Sequence, residues 1–171
     1  MVYVDTSVLV ALLLNEPRSA DAARWYGACT DKLVSATWCV TEFASALGIK
    51  QRTGQISEAD GQAAWRRFER LCANDLQLLP IEPASFRRAA VLTLDAATGL
   101  RAGDSLHLAV ALDAKVKSIA TLDDVLAKNA KRMKLRLAMR QPPPGGLTPN
   151  PDKVGFAKPL NSGEGQPRIG A

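Results

Sequence analysis

The chain has 171 residues, enough for one well-buried domain with an appendage and too few for two ordinary domains. Hydrophobic residues make up 47% and charged residues 23%, the balance of a globular fold in water, and three cysteines with a single histidine exclude a Cys/His zinc framework. The net charge of +5 fits a phosphate-bearing polymer as partner, but equally fits ordinary surface solubility.

Val2-Tyr3-Val4 reads as a short strand, with Asp5 at its carboxyl end and an apolar helix running to Leu14. Asn15, Glu16 and Pro17 interrupt that apolar run far short of a membrane span, and no leader-like segment precedes it; a cytoplasmic location is expected. Apolar residues at 22, 23, 25, 26 and 29 predict a helix over Ser19 to Cys29. A strand follows at Leu33 to Ala36, then a helix from Trp38 to Gln51, stopped at Thr53-Gly54. Ser57 with Asp60 three residues on resembles a capping box, opening a helix to about Asn74. Leu76 to Ile81 is a third strand, and Ala84 to Thr98 a helix ending at Gly99. Gly103-Asp104 opens a helix through Ala114, Val116 to Thr121 is a fourth strand, and Asp123 begins a last short helix.

Strands alternating with helices predict an α/β fold with a mainly parallel central sheet, whose functional site lies at the carboxyl ends of the strands. Composition changes after Arg140: residues 141–171 hold seven of the ten prolines and six of the twelve glycines. Such a segment has too little apolar surface to offset its ordering entropy, so a folded domain over 1–140 and a disordered tail over 141–171 are expected. Cys29, Cys39 and Cys72 lie in apolar stretches without a CxxC pair and read as reduced thiols packed in the core.

Four acidic residues, Asp5, Glu42, Asp104 and Asp123, lie beside or within apolar segments with no obvious basic partner at helical spacing. A buried, unpaired carboxylate is costly, so such residues pair, take up a proton or hold a metal. Asp5, Asp104 and Asp123 each precede or open a helix and could simply cap it. Glu42 is harder to place that way: its same-face neighbours are Trp38, Cys39, Ser45 and Ala46. Asp124 competes with Asp123 as the inward acid, and Thr121, two residues before, favours Asp123. Thr6, Ser7 and Thr121 carry hydroxyls that can orient the carboxylates or metal-bound water. His107, on the same face as Asp104, reads as a hydrogen-bonded core residue, since hard cations prefer oxygen.

Taken as a set, these residues resemble a known family. Val4-Asp5-Thr6-Ser7-Val8-Leu9 looks like the opening strand and helix of PIN-domain nucleases. Thr41-Glu42 resembles that family's second acidic position, Gly103-Asp104-Ser105-Leu106-His107 its third, and Ile119-Ala120-Thr121-Leu122-Asp123 its fourth. Order and spacing over residues 1 to about 137 are similar to VapC-type toxins of toxin–antitoxin pairs. The resemblance implies a three-layer α/β/α domain that cuts RNA using Mg²⁺ or Mn²⁺, forms a homodimer and is inhibited by a small antitoxin. Asp5 and Asp104 would then be the main metal ligands, with Glu42 and Asp123 holding a second ion or orienting the attacking water.

Cations must surround an acidic site that accepts RNA; Arg101, Lys128, Lys131 and Arg132 are candidate phosphate contacts, with Lys134 and the cluster Arg66, Arg67 and Arg70 beside them. Rival readings are a phosphatase with Asp5 as nucleophile, against which Ser7 stands where a second Asp is usual, a non-catalytic RNA-binding module, and an RNA-processing nuclease outside any toxin–antitoxin pair.

Overall fold

The computed structural model describes residues 1–139; the tail expected at 141–171 lies outside the described residues. In chain order the elements are β1 (Val2–Val4), α1 (Thr6–Leu13), α2 (Ser19–Ala28), β2 (Leu33–Ala36), α3 (Trp38–Arg52), α4 (Glu58–Asn74), β3 (Leu76–Leu79), α5 (Pro83–Leu94), α6 (Ala102–Asp113), β4 (Ser118–Ala120), α7 (Asp124–Arg132) and β5 (Arg136–Leu137). The five strands pair in parallel in the order β3-β2-β1-β4-β5. The expected sheet is therefore present, and every pairing in it is parallel.

Strand side chains alternate between faces, and the two faces feed separate cores. Val2, Val4, Leu33 and Ala120 pack with Val8, Leu9, Ala22, Phe43 and Phe68 of the helices α1 to α4. Tyr3, Val34, Ala36 and Ile119 pack with Leu108, Val110, Leu126 and Ala130 of α6 and α7. Helix layers thus cover both sides, as continuous apolar strands require. On the first side Phe43 of α3 stacks on Phe68 of α4 with ring centroids 4.6 Å apart. Ser57 and Asp60 form the expected capping box of α4.

The helix expected to reach Thr98 stops earlier. α5 ends at Leu94, and Ala96–Thr98 is a separate 3₁₀ turn closed by Gly99 at φ 66°. The Asp95 carboxylate accepts from Ala97 N, and Thr98 Oγ1 donates to the Leu92 and Asp95 carbonyls. These side-chain bonds replace the α-helical ladder. The turn is fastened to α7 by the buried Asn129, whose Nδ2 donates to Thr98 O at 2.8 Å.

The order of strands in the sheet places β1 at the centre, with β2 and β3 to one side and β4 and β5 to the other. The crevice beyond the carboxyl ends of β1 and β4 is the switch point where α/β sheets bind ligands. Asp5 follows β1 directly and Asp123 lies just past β4. Among the described residues, no helix is long and apolar enough to cross a membrane.

Candidate active site

A cleft of about 460 Å³ opens at this switch point, lined by Asp5, Thr6, Ser7, Glu42, Asp104 and Asp123 together with the Glu16-Pro17-Arg18 turn. All four acids singled out in the sequence meet here, from β1, α3, α6 and the end of β4. Asp124, the competitor of Asp123, is exposed and is not among the lining residues.

Asp5 is almost fully buried, 5% exposed, and heavily hydrogen-bonded. Its Oδ2 accepts from Thr121 Oγ1 at 2.9 Å, from Ser7 N at 3.3 Å and from the Ser7 hydroxyl. The same hydroxyls accept backbone protons in turn, Ser7 Oγ from Leu122 N at 2.9 Å and Thr121 Oγ1 from Asp123 N at 3.0 Å. The three hydroxyl residues expected to support the acids therefore divide their work. Thr121 and Ser7 hold Asp5, and Thr6 holds Glu42.

The helix-cap and active-site readings of the aspartates are not alternatives. Asp5 caps α1, and Asp123 caps α7 through Leu126 N at 2.7 Å, while both line the cleft. Asp104 occupies the first turn of α6 and accepts from Arg101 N at 3.4 Å.

Glu42 accepts from Thr6 Oγ1 at 2.6 Å and lies 2.5 Å from His107 Nε2. His107 Nδ1 is 2.7 Å from Tyr3 Oη, which accepts from Ala36 N at 3.0 Å. One tautomer satisfies the whole chain: Ala36 N–H donates to Tyr3, Tyr3 O–H donates to Nδ1, and Nε2–H donates to Glu42. His107 is 1% exposed and acts as the expected hydrogen-bonded core residue.

The electrostatics differ between the acids. Burial pushes the Asp104 carboxyl above its ordinary pKa, and the charges of Asp123, Asp5 and Glu42 push it further. Burial acts the same way on Glu42, but hydrogen bonds from His107 and Thr6, and the charge His107 carries when protonated, outweigh it and hold Glu42 below the usual range. For His107, burial lowers the pKa, yet the bond to Glu42 and the neighbouring carboxylates raise it overall.

Four carboxylates flanked by hydroxyls, without a thiolate, are a donor set for a hard divalent cation. The mutual repulsion felt at Asp104 is what such a cation would relieve. Among the described residues, no three acid, thiol or imidazole side chains stand close enough together to hold a metal ion as they are placed. Glu42 and Asp123 each commit an oxygen to a neighbour, Thr6 with His107 and Leu126 N respectively.

Two residues have a place at the cleft that the sequence did not assign them: Gly103, named there only within the motif around Asp104, and Arg18. Gly103 matters for its missing side chain: a Cβ there would stand 2.6 Å from Glu42 Oε1, so glycine alone lets α6 approach Glu42 this closely. Arg18 lines the cleft from the start of α2. A glycine and an arginine in a turn carry no sequence signal of such roles. Arg101, Lys128, Lys131 and Arg132 are exposed and are not among the lining residues; Lys128, Lys131 and Arg132 belong to α7, which Asp123 caps. The three cysteines are free thiols, as expected; Cys39 is buried, and Cys29 and Cys72 are partly exposed.

A parallel α/β/α sandwich with an acidic cleft at its switch point is the architecture of a family, and comparison with known proteins identifies it. Residues 2–132 match the PIN domain model, and the chain belongs to the PIN domain family. Among solved structures, VapC20 of Mycobacterium tuberculosis, a sarcin–ricin loop cleaving toxin, is similar with TM-score 0.62 and 15% identity, covering 75% of this chain and 95% of that one. FitAcB of Neisseria gonorrhoeae is similar with TM-score 0.60 and 18% identity, covering 80% and 96%. At these identities the likeness is one of fold. No curated protein matches the chain by sequence.

Proposed function

We propose that the protein is a divalent-metal-dependent endoribonuclease, the toxin of a toxin–antitoxin pair. The observation that carries this reading is the meeting of Asp5, Glu42, Asp104 and Asp123, from four separate segments, in one cleft of a PIN domain. The likeness of fold to VapC20, itself a sarcin–ricin loop cleaving toxin, supports the toxin assignment over a general processing nuclease.

Asp5 and Asp104 would hold Mg²⁺ or Mn²⁺, with Glu42 and Asp123 completing the set or orienting the attacking water. When bound, the ion supplies Lewis acidity that acidifies water and stabilises charge developing on the phosphate. The chain supplies the preorganisation. Ser7 and Thr121 fix the Asp5 carboxylate, and Thr6 and His107 fix Glu42, so that little reorganisation remains when substrate arrives. Water adds to phosphorus as one ester P–O bond breaks, a proton of that water ends on the departing oxygen by way of solvent, and the cleft acids accept hydrogen bonds from the entering water.

RNA is the proposed substrate, with Arg101, Lys128, Lys131 and Arg132 as outer phosphate contacts on the surface beyond the acids. A small antitoxin and a second copy of the chain are the proposed protein partners. Phe86, Val91 and Leu94 on α5 are 53%, 69% and 83% exposed and offer an apolar face for a homodimer.

Incubating the full chain with total RNA in Mg²⁺ or Mn²⁺, then mapping the new ends, tests the reading. Discrete internal cuts that vanish with EDTA are expected. An RNA pool left intact by every divalent metal, though bound by the protein, would favour the non-catalytic module.

A further inference from the structure

We propose that Tyr3 is a positioning residue for RNA cleavage: acting through His107, it sets the direction of the Glu42 carboxylate. The inference rests on the ribonuclease reading and extends the site inward, to a residue that is not among those lining the cleft.

Tyr3 lies on β1, on the sheet face that packs against α6, and its surface is 0% exposed. Val34, Ala36, Leu108 and Ile119 share that core, so by packing alone a phenylalanine would suit the place. A hydroxyl buried among such residues is costly unless it is hydrogen-bonded. Its Oη accepts from Ala36 N at 3.0 Å and stands 2.7 Å from His107 Nδ1, the two rings meeting edge to face with centroids 5.7 Å apart. The backbone amide can only donate, so the phenol gives its own proton to Nδ1 and the ring proton belongs on Nε2.

At Nε2 that choice reaches the site. Glu42 Oε2 is 2.5 Å away, Thr6 Oγ1 3.2 Å and Asp5 Oδ1 3.7 Å, a group of oxygens that a bare nitrogen lone pair would repel. Thr6 Oγ1 donates to the same Oε2 at 2.6 Å. Two donors, one from α1 and one from α6, thus meet on a single oxygen of a glutamate supplied by α3. The other oxygen, Oε1, is turned toward Gly103. Without the Tyr3 hydroxyl, Nδ1 loses its donor, the ring proton can sit on either nitrogen, and Glu42 loses a fixed partner. Groups that fix the tautomer of a histidine at a metal site act in this way.

The test uses the full chain with Tyr3→Phe, and Ser85→Ala as a stability control. Ser85 is buried, donates to Asp113 Oδ2 at 2.7 Å and is not among the cleft-lining residues. The chain has a single histidine, so ¹⁵N-labelled histidine reports on His107 alone. At about pH 8.5, where an ordinary imidazole is neutral, wild type should show a protonated Nε2 and an unprotonated Nδ1. In Tyr3→Phe the two signals should move toward each other as the tautomers mix. Cleavage of labelled RNA in Mn²⁺ should lose about tenfold in kcat with KM within about threefold, since Glu42 serves the reacting centre rather than substrate binding. Ser85→Ala should lower the melting temperature while keeping kcat within about twofold. A wild-type proton on Nδ1, a histidine spectrum that Tyr3→Phe leaves unchanged, or a kcat loss no greater than that of Ser85→Ala overturns the proposal. Wild type that cuts no RNA defeats the nuclease reading instead, and the histidine spectra then still decide whether Tyr3 directs His107.

Discussion

Thr121 Oγ1 donates to Asp5 Oδ2 at 2.9 Å, joining the ends of two adjacent parallel strands across 116 positions of sequence. The bond couples the central sheet to the central acid. β1 and β4 are paired with Val4 opposite Ala120, and Asp5 N donates to Ala120 O at 2.9 Å, so strand register itself delivers the hydroxyl to the carboxylate.

Thr121→Val keeps the strand's shape and removes that donor. A buried carboxylate loses one of its partners, at a cost of about 1–3 kcal/mol in stability. Cleavage and metal affinity should fall about 10- to 100-fold, the usual consequence of losing a group that orients a ligand. Urea unfolding and Mn²⁺ titration by calorimetry read the two effects separately. An unchanged Mn²⁺ affinity would remove Thr121 from the support of Asp5.

Gly103→Ala separates stability from activity. Alanine is favoured over glycine in a helix by about 1 kcal/mol, and the atom it would meet is the tip of a side chain, so folding should suffer little. That tip is Glu42 Oε1, 2.6 Å from the added Cβ, and its carboxylate is held by Thr6 and His107. The substitution should leave the melting temperature within a few degrees of wild type while cutting RNA cleavage at least about tenfold. A fully active alanine variant would show that the position of Glu42 is unimportant.

The two tyrosines give a pH prediction. Tyr26 O–H donates to Asp75 Oδ2 at 2.7 Å, and this bond, then burial and the Asp75 charge, push its pKa up to about 12. Tyr3 is raised well above 10, chiefly by burial. A raised folded-state pKa contributes stability that is fully present below the unfolded value of about 10 and is lost as pH rises through the folded value. Ultraviolet titration of the folded chain should therefore show little tyrosinate at pH 10.5, and alkaline destabilisation should set in between about pH 10 and 12. Tyr26→Phe should lessen that alkaline loss. A titration with one tyrosine ionising near 10 would contradict the Tyr26–Asp75 bond.

Much of the fold was legible because its signals are local. Short β-branched runs, the Ser57 and Asp60 cap, and apolar periodicity mark elements without help from the rest of the chain. The premature end of α5 was not, because Asp95 and Thr98 form their turn through side-chain bonds that compete with a helix of good periodicity. The acids were legible as a set because four of them stand in order beside apolar segments, although only Glu42 resists a structural explanation taken singly. Asp5 and Asp123 turned out to cap helices as well, which is why neither was decisive when taken singly. Gly103 gains its meaning from what crosses in front of it, Glu42 from α3, and such a contact is set by packing rather than by neighbours in sequence.

If the four carboxylates hold a divalent cation, the sharpest test falls on Asp104, a half-buried acid that Asp123, Asp5 and Glu42 all repel. The measurement compares wild type with Asp104→Asn for thermal unfolding and RNA cleavage, with EDTA and with Mn²⁺. Without metal, Asn should raise the melting temperature by about 1–4 °C, because it removes a charge disfavoured by burial and by its acidic neighbours. With Mn²⁺, only wild type should gain substantial stability and only wild type should cut RNA. An Asp104→Asn protein that is stabilised by Mn²⁺ as strongly as wild type and cleaves RNA at the same rate would contradict that cation site.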